Sequence, residues 1–147
     1  TLEFDQEGRE LVAGADLVCF PMGSFHTSVL ANLLPRGVGR AVADRCCPKV
    51  FVPGLGADPE LPGVGVADQV AMLLKRLRDD AGDRPVSELL THVLLDAEDA
   101  GYGREVEAAR IAALGVEVLR MPLVEVRPAG PRIDARRLAE VLVTMGG

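Results

Sequence analysis

The 147 residues suit one domain of ordinary size, and 48% hydrophobic residues beside 26% charged ones describe a chain that buries a core instead of staying disordered. A net charge of −6, aromatics at 3% and no tryptophan exclude the basic, base-stacking surfaces that nucleic acids need. No apolar run approaches the ~20 residues of a membrane span and no secretion signal opens the chain, so a cytoplasmic protein with no membrane or nucleic-acid partner is expected.

The first residue is Thr and not Met, so the sequence reads as processed or as a piece of something longer. The first predicted strand is "ADLVCF" (15–20). It runs into "PMGSFHTSVLANLL" (21–34), where Gly and hydroxyl residues give way to a helical pattern. A short helix is expected over 37–45, after the Pro35-Arg36-Gly37 turn. "KVFVP" (49–53) is the second strand, followed by the Gly- and Pro-rich segment "GLGADPELPGVG" (54–65). Residues 66–80 carry Val66, Val70, Leu73, Leu74 and Leu77 on one helical face, with Lys75, Arg76, Arg78 and Asp79 largely elsewhere. "HVLLD" (92–96) is the third strand, leading into "DAEDAGYG" (96–103). Residues 103–114 show a weaker stripe through Val106, Ala109, Ala113 and Leu114. "VEVLRMP" (116–122) is the fourth strand, with "LVEV" (123–126) as its continuation. A last helix over 134–145 places Leu138, Val141, Leu142 and Met145 at helical spacing, with Asp134 as its N-cap.

Strands alternate with helices, and the strands are apolar at consecutive positions. That pattern predicts an α/β fold: right-handed crossovers, a mostly parallel sheet and helices on both faces. Ligands of such sheets sit outside the carboxyl ends of the strands. Three segments leave strands there: Pro21–Ser28, Gly54–Gly65 and Asp96–Gly103.

The first has the best chemistry. Gly23 lets the backbone approach a ligand, and Ser24, Thr27 and Ser28 supply hydroxyl donors. His26 adds a donor, or a positive charge when protonated. A helix starting here would turn free N–H groups toward an anion. A plain Ser or Thr cap explains the same residues, and neither a Walker motif nor a G-x-G-x-x-G fingerprint is present. In the second segment Asp58 and Glu60 read as solvated, and Asp68 as a helix-dipole partner. In the third, beside Glu98 and Asp99, Asp96 ends a strand, where a carboxylate meets a ribose hydroxyl, a base or a metal, or simply closes an Asp turn. The G-x-S-x-G elbow is absent, and His92 belongs at the opposite rim, so no nucleophilic triad is expected. Cys19, Cys46 and Cys47 have neither disulfide-framework nor zinc spacing.

"ADLVCFPMGSFHTSVLANLLPRGV" resembles the segment "ADL-(apolar)-GPGSLYTS-(apolar)-NLL-x-x-G" of the CofD-like family, and the likeness continues through "KVFVPGLGADPE…GVADQV", "HVLLDAED" and "LGVEVLRMPLVEV…RIDARRLAEVL". The resemblance implies a Rossmann-like three-layer sandwich with a mostly parallel sheet. It implies that Gly23, Ser24, Thr27 and Ser28, with His26 in the same loop and Asn32 in support, contact the phosphates of a nucleotide-linked small molecule. It implies a transfer of a phosphorylated group from a nucleoside diphosphate-linked donor to an acceptor alcohol, usually helped by a divalent metal such as Mg. The alternative within the family is a non-enzymatic, nucleotide-sugar-binding regulator of the gluconeogenesis-factor type. The chain departs from the family at Pro21-Met22, where Gly-Pro is usual, at His26, where Tyr is usual, and at Gln69, where His is usual. The family's opening Gly-rich loop and Asp-Gly-Gly segment are not in these 147 residues, so residues 1–147 are expected to be a single domain forming its C-terminal portion. A homo-oligomer stays open.

Overall fold

The computed structural model describes residues 17–20, 37–55, 65–102, 105–128 and 130–146. Strands β1 (Val18–Phe20), β2 (Lys49–Phe51), β3 (His92–Asp96) and β4 (Glu117–Met121) form one sheet in the order β1-β2-β3-β4, parallel throughout. Helix α1 (Val38–Ala43) lies between β1 and β2. Helices α2 (Val66–Ala81) and α3 (Val86–Leu89) lie between β2 and β3. A 3-10 turn (Ala100–Tyr102) and α4 (Ala108–Ala113) lead from β3 to β4. Strands β5 (Val124–Arg127) and β6 (Gly130–Ile133) form a separate antiparallel pair, and α5 (Ala135–Gly146) follows. The expected α/β fold is what the chain adopts.

Parallel strands taken in sequential order with right-handed crossovers place every connecting helix on one face. That face is built on Phe20, Phe51, Val93 and Leu95 from the sheet, packed against Val42, Leu73, Leu77, Leu89 and Ile111 from the helices. Because side chains alternate along a strand, the residues between them turn the other way. Val50, Val52 and Leu94 meet Leu123 and Ile133 there, under the half-buried Leu138, Val141, Leu142 and Met145 of α5. This gives three layers: crossover helices, sheet, and α5.

The periodic stripe of α2 is buried at all five expected positions. Asp68 Oδ2 accepts the Gly65 N–H at 3.0 Å in the first turn of α2, and Asp68 also pairs with Arg110, tying α2 to the segment that carries α4. Helix α1 approaches α2 closely at Gly39, where a Cβ would stand 2.6 Å from the Leu77 carbonyl oxygen. Asp80 of α2 accepts the Gly37 N–H at 2.8 Å, so it satisfies a free donor at the start of α1.

Two expectations are corrected. The helix predicted over 103–114 covers only Ala108–Ala113, and its anchor is Ile111, with Ala109 and Ala113 exposed. Asp99 Oδ2 accepts the Val106 N–H at 2.9 Å, ahead of the first helical residue. Gly115, at φ +94, then ends it. The second correction concerns "LVEV". It does not continue β4, which stops at Met121 before Pro122, a residue with no N–H for the ladder. The chain turns away and pairs with β6 in a hairpin that hydrophobic patterning did not reveal. The expected Asp134 cap is present: Oδ1 accepts the N–H groups of Arg136 at 2.9 Å and Arg137 at 3.3 Å.

Candidate functional site at the carboxyl rim

The four parallel strands end on one rim. At Phe20 and Val52 the chain leaves β1 and β2 side by side, joined by the Val52 N–H donating to the Phe20 carbonyl at 3.1 Å. Gly23, Ser24, His26, Thr27, Ser28 and Asn32 lie outside the described residues, as do Asp58 and Glu60. The described part of the rim is therefore made of Val52–Leu55, the segment after Asp96, and the connection from β4 to β5.

Asp96 is the centre of it. The residue is 9% exposed at the end of β3. Its Oδ1 accepts the N–H groups of Leu123 at 2.8 Å and Val124 at 2.9 Å, and its Oδ2 accepts the Glu98 N–H at 3.1 Å. Its own N–H donates to the Tyr102 hydroxyl oxygen at 2.7 Å, and its carbonyl accepts from Arg120 Nη1 at 3.1 Å. Burial pushes the Asp96 carboxyl up, but the hydrogen bonds from Val124, Leu123, Glu98 and Ala97 outweigh it and hold the group below the ordinary aspartate value. This side chain is an acceptor already surrounded by donors. It clamps β3 to the start of the hairpin and closes the turn at Glu98, which is the work of an Asp turn.

Three further side chains were not singled out as site residues in the sequence. Tyr102, 3% exposed, packs beneath the rim with its hydroxyl on the Asp96 N–H, and burial raises its pKa. Asp99 is held below the ordinary value first by the Val106 N–H and, against burial, by Arg120. Arg120 Nη1 lies 2.7 Å from Asp99 Oδ1, yet that oxygen is buried with no aligned donor, so the contact is an ion pair and not a well-directed hydrogen bond. A positive charge inside the otherwise largely apolar run "VEVLRMP" was the available signal for Arg120. Gly101 brings this loop against the second one: a Cβ there would lie 3.0 Å from Leu55 Cδ2 and 3.7 Å from Val124 Cγ2.

His92 does lie at the opposite rim, as its place at the start of β3 predicted. Its Nε2 is 3.1 Å from Glu117 Oε2 and its Nδ1 is 2.7 Å from Thr91 Oγ1. Among the described residues no group of three or more His, Cys, Asp or Glu side chains is placed to hold a metal, and Asp96 fits that task poorly because both its oxygens are engaged by backbone donors. No described helix is long and apolar enough to cross a membrane. The three cysteines are free.

A family model described as "2-phospho-L-lactate transferase CofD" matches residues 3–124, which spans β1 to the start of the hairpin and the whole of the described rim. The chain belongs to the CofD family. Two curated CofD-like relatives carry the name "Gluconeogenesis factor". One, from Halalkalibacterium halodurans, is 27% identical over 94% of this chain and 44% of its own length. The other, from Bacillus subtilis, is 27% identical over 95% of this chain and 45% of its own length. A crystal structure of a Bacillus halodurans protein superposes on 95% of this chain and 46% of its own, at 25% identity and a TM-score of 0.73. A second, described as a member of the UPF0052 family from the same organism, gives 0.75 at 23% identity and shows the same fold. The chain spans about half the length of the relatives it matches.

Proposed function

We propose that this chain is the phosphate-binding portion of a CofD-like transferase, which moves a phosphorylated group from a nucleoside diphosphate-linked donor to an acceptor alcohol. The observation that carries the reading is the position of Phe20. The segment richest in small hydroxyl donors begins directly after it, at the rim where ligands of parallel sheets bind. Gly23, Ser24, His26, Thr27, Ser28 and Asn32 are the proposed phosphate contacts. Their chemistry suits a diphosphate, with backbone and hydroxyl donors meeting charged oxygens. Asp96, proposed at the sequence level as an additional contact, acts in this reading through its clamp on the neighbouring loop. Catalysis of this kind rests on positioning and charge neutralisation and needs no protein nucleophile. A Mg ion accompanying the diphosphate would take its protein ligands from outside the described residues.

Calorimetry on the full-length protein with guanosine and uridine diphosphates tests the reading. The Ser24→Ala/Thr27→Ala/Ser28→Ala variant should bind at least about tenfold more weakly, since it loses several charge-assisted hydrogen bonds. Equal affinity would overturn the phosphate loop. Binding of a nucleotide-linked donor with no transfer to any alcohol acceptor, and so no release of a nucleoside monophosphate, would select the regulatory alternative.

A further inference from the structure

We propose that Cys46 and Cys47 form a redox-active pair: hydrogen peroxide closes them into a disulfide between neighbouring residues, and the closure acts on the start of β1 through Pro48. The pair stands apart from the carboxyl rim and from the nucleotide-binding reading. It lies at the amino rim, in the connection from α1 to β2, beyond the last helical residue, Ala43, and before the first strand residue, Lys49. Both thiols are free, with Cys46 exposed and Cys47 half-buried.

Adjacent thiols meet only where the backbone allows it. In a strand neighbouring side chains point to opposite faces, and in a helix they splay around the axis. Cys46 and Cys47 belong to neither, and the chain bends at Cys47. The Cys47 N–H donates to the Arg45 carbonyl at 3.2 Å, a bond between near neighbours whose loss breaks no helix turn or strand ladder. Neighbouring α-carbons stand ~3.8 Å apart, short of the ~4.4–6.8 Å of a relaxed disulfide. The closed form is therefore strained, and a strained, exposed disulfide is readily reduced again. That reversibility separates this pair from a structural bridge.

The exposed Cys46 thiolate attacks one peroxide oxygen, the O–O bond breaks, and the other oxygen leaves as hydroxide. Cys46 is then a sulfenic acid. The Cys47 thiolate attacks its sulfur, the S–S bond forms, and a second hydroxide departs. The thiol protons end on the two departing oxygens as water, so both sulfurs are oxidised and both peroxide oxygens reduced. Cys19 is the built-in contrast: it packs half-buried on the α5 face of the sheet, and burial pushes its thiol up, away from the reactive thiolate.

Pro48 carries the effect inward. Lys49, the next residue, is anchored to Thr91 on both sides: its N–H donates to Thr91 Oγ1 at 2.8 Å, and its carbonyl accepts the Thr91 N–H at 2.9 Å. A twist at Cys46–Cys47 therefore falls on the Pro48 carbonyl, which accepts the Val18 N–H at 2.9 Å and sets the start of β1 against β2.

Hydrogen peroxide added to the complete protein, with Cys46→Ser/Cys47→Ser as the control, tests the proposal. Trypsin cuts after Arg45 and Lys49, so the peptide 46–49 carries this pair and no other cysteine. Mass spectrometry should find that peptide short of two hydrogens and restored by dithiothreitol, while Cys19 still alkylates. In the oxidised protein the Val18 amide should exchange at least about tenfold faster, a change absent from the double variant. Cys46 found as a sulfinic acid beside a free Cys47, or joined to a second chain, would overturn the pairing. Closure that leaves Val18 exchange unchanged would overturn the action on β1.

Discussion

The two faces of the sheet are built to different depths. On the crossover face Val70, Leu73, Leu77, Leu89, Leu90, Val93, Leu95 and Ile111 are all 0% exposed. On the other face α5 buries no residue fully, although Leu138, Val141, Leu142 and Met145 pack against the sheet at regular spacing. Both helices have the amphipathic pattern, so pattern is not what separates them. Helix α2 is covered on one side by the sheet and on its flanks by α1, α3 and α4, whereas α5 meets the sheet and the hairpin with few neighbours among the described residues. Among the described residues the helices of the crossover face are therefore the more deeply buried layer.

The largest test of that contrast is a pair of truncations. Leu77→Ala should cost about 3–5 kcal/mol because the cavity is enclosed, and Leu142→Ala about 1 kcal/mol because its site is partly open to water. Urea unfolding reads both, and equal losses would break the comparison. Asp96→Ala comes next, at about 3 kcal/mol, because the N–H groups of Leu123, Val124 and Glu98 lose their acceptor. Since this clamp joins β3 to the hairpin, hydrogen exchange should show β5 and β6 loosening while α2 stays protected. Gly39→Ala should cost about 2 kcal/mol, since its Cβ meets the backbone of Leu77 and not a movable side chain.

The pH dependence is smaller. The carboxyls of Asp96 and Asp99 lie below the ordinary value of 3.8 in the folded chain, so on acidification the unfolded chain takes up protons first. Their contribution is fully present above the ordinary value and fades as pH falls through it toward the folded values. Asp96→Asn should flatten the loss of urea-midpoint stability between about pH 5 and pH 3. The smallest effect belongs to the outer surface of α5. Val143 is 73% exposed, and Val143→Thr should change stability by less than about 0.5 kcal/mol.

Much of the fold was legible because it is written in local periodicity. The runs at Val18–Phe20, Lys49–Phe51 and His92–Asp96 are apolar at consecutive positions, and the α2 stripe repeats with helical spacing, so each element announces itself within a few residues. The hairpin was not legible. "LVEV" looks like any strand, and its partner Gly130–Ile133 contains a Pro and an Arg and has no apolar alternation. At the candidate site the sequence placed Asp96 at a strand end but said nothing of what its oxygens meet. Leu123 and Val124 lie 27 and 28 residues away, and Arg120 reaches the same loop from the next strand. The proposed phosphate loop, 21–28, rests on its residue types and on the rim to which Phe20 leads.

The sequence by itself determined the alternation of strands and helices, the buried face of α2, the Asp134 cap and the family likeness, because each is carried by neighbouring residues and their spacing. Only the tertiary structure decided that β5 turns away from β4 and that the Asp96 carboxylate is taken up by backbone donors. Those outcomes depend on which distant segments share a rim, and parallel pairing between strands tens of residues apart leaves no periodic trace in either one.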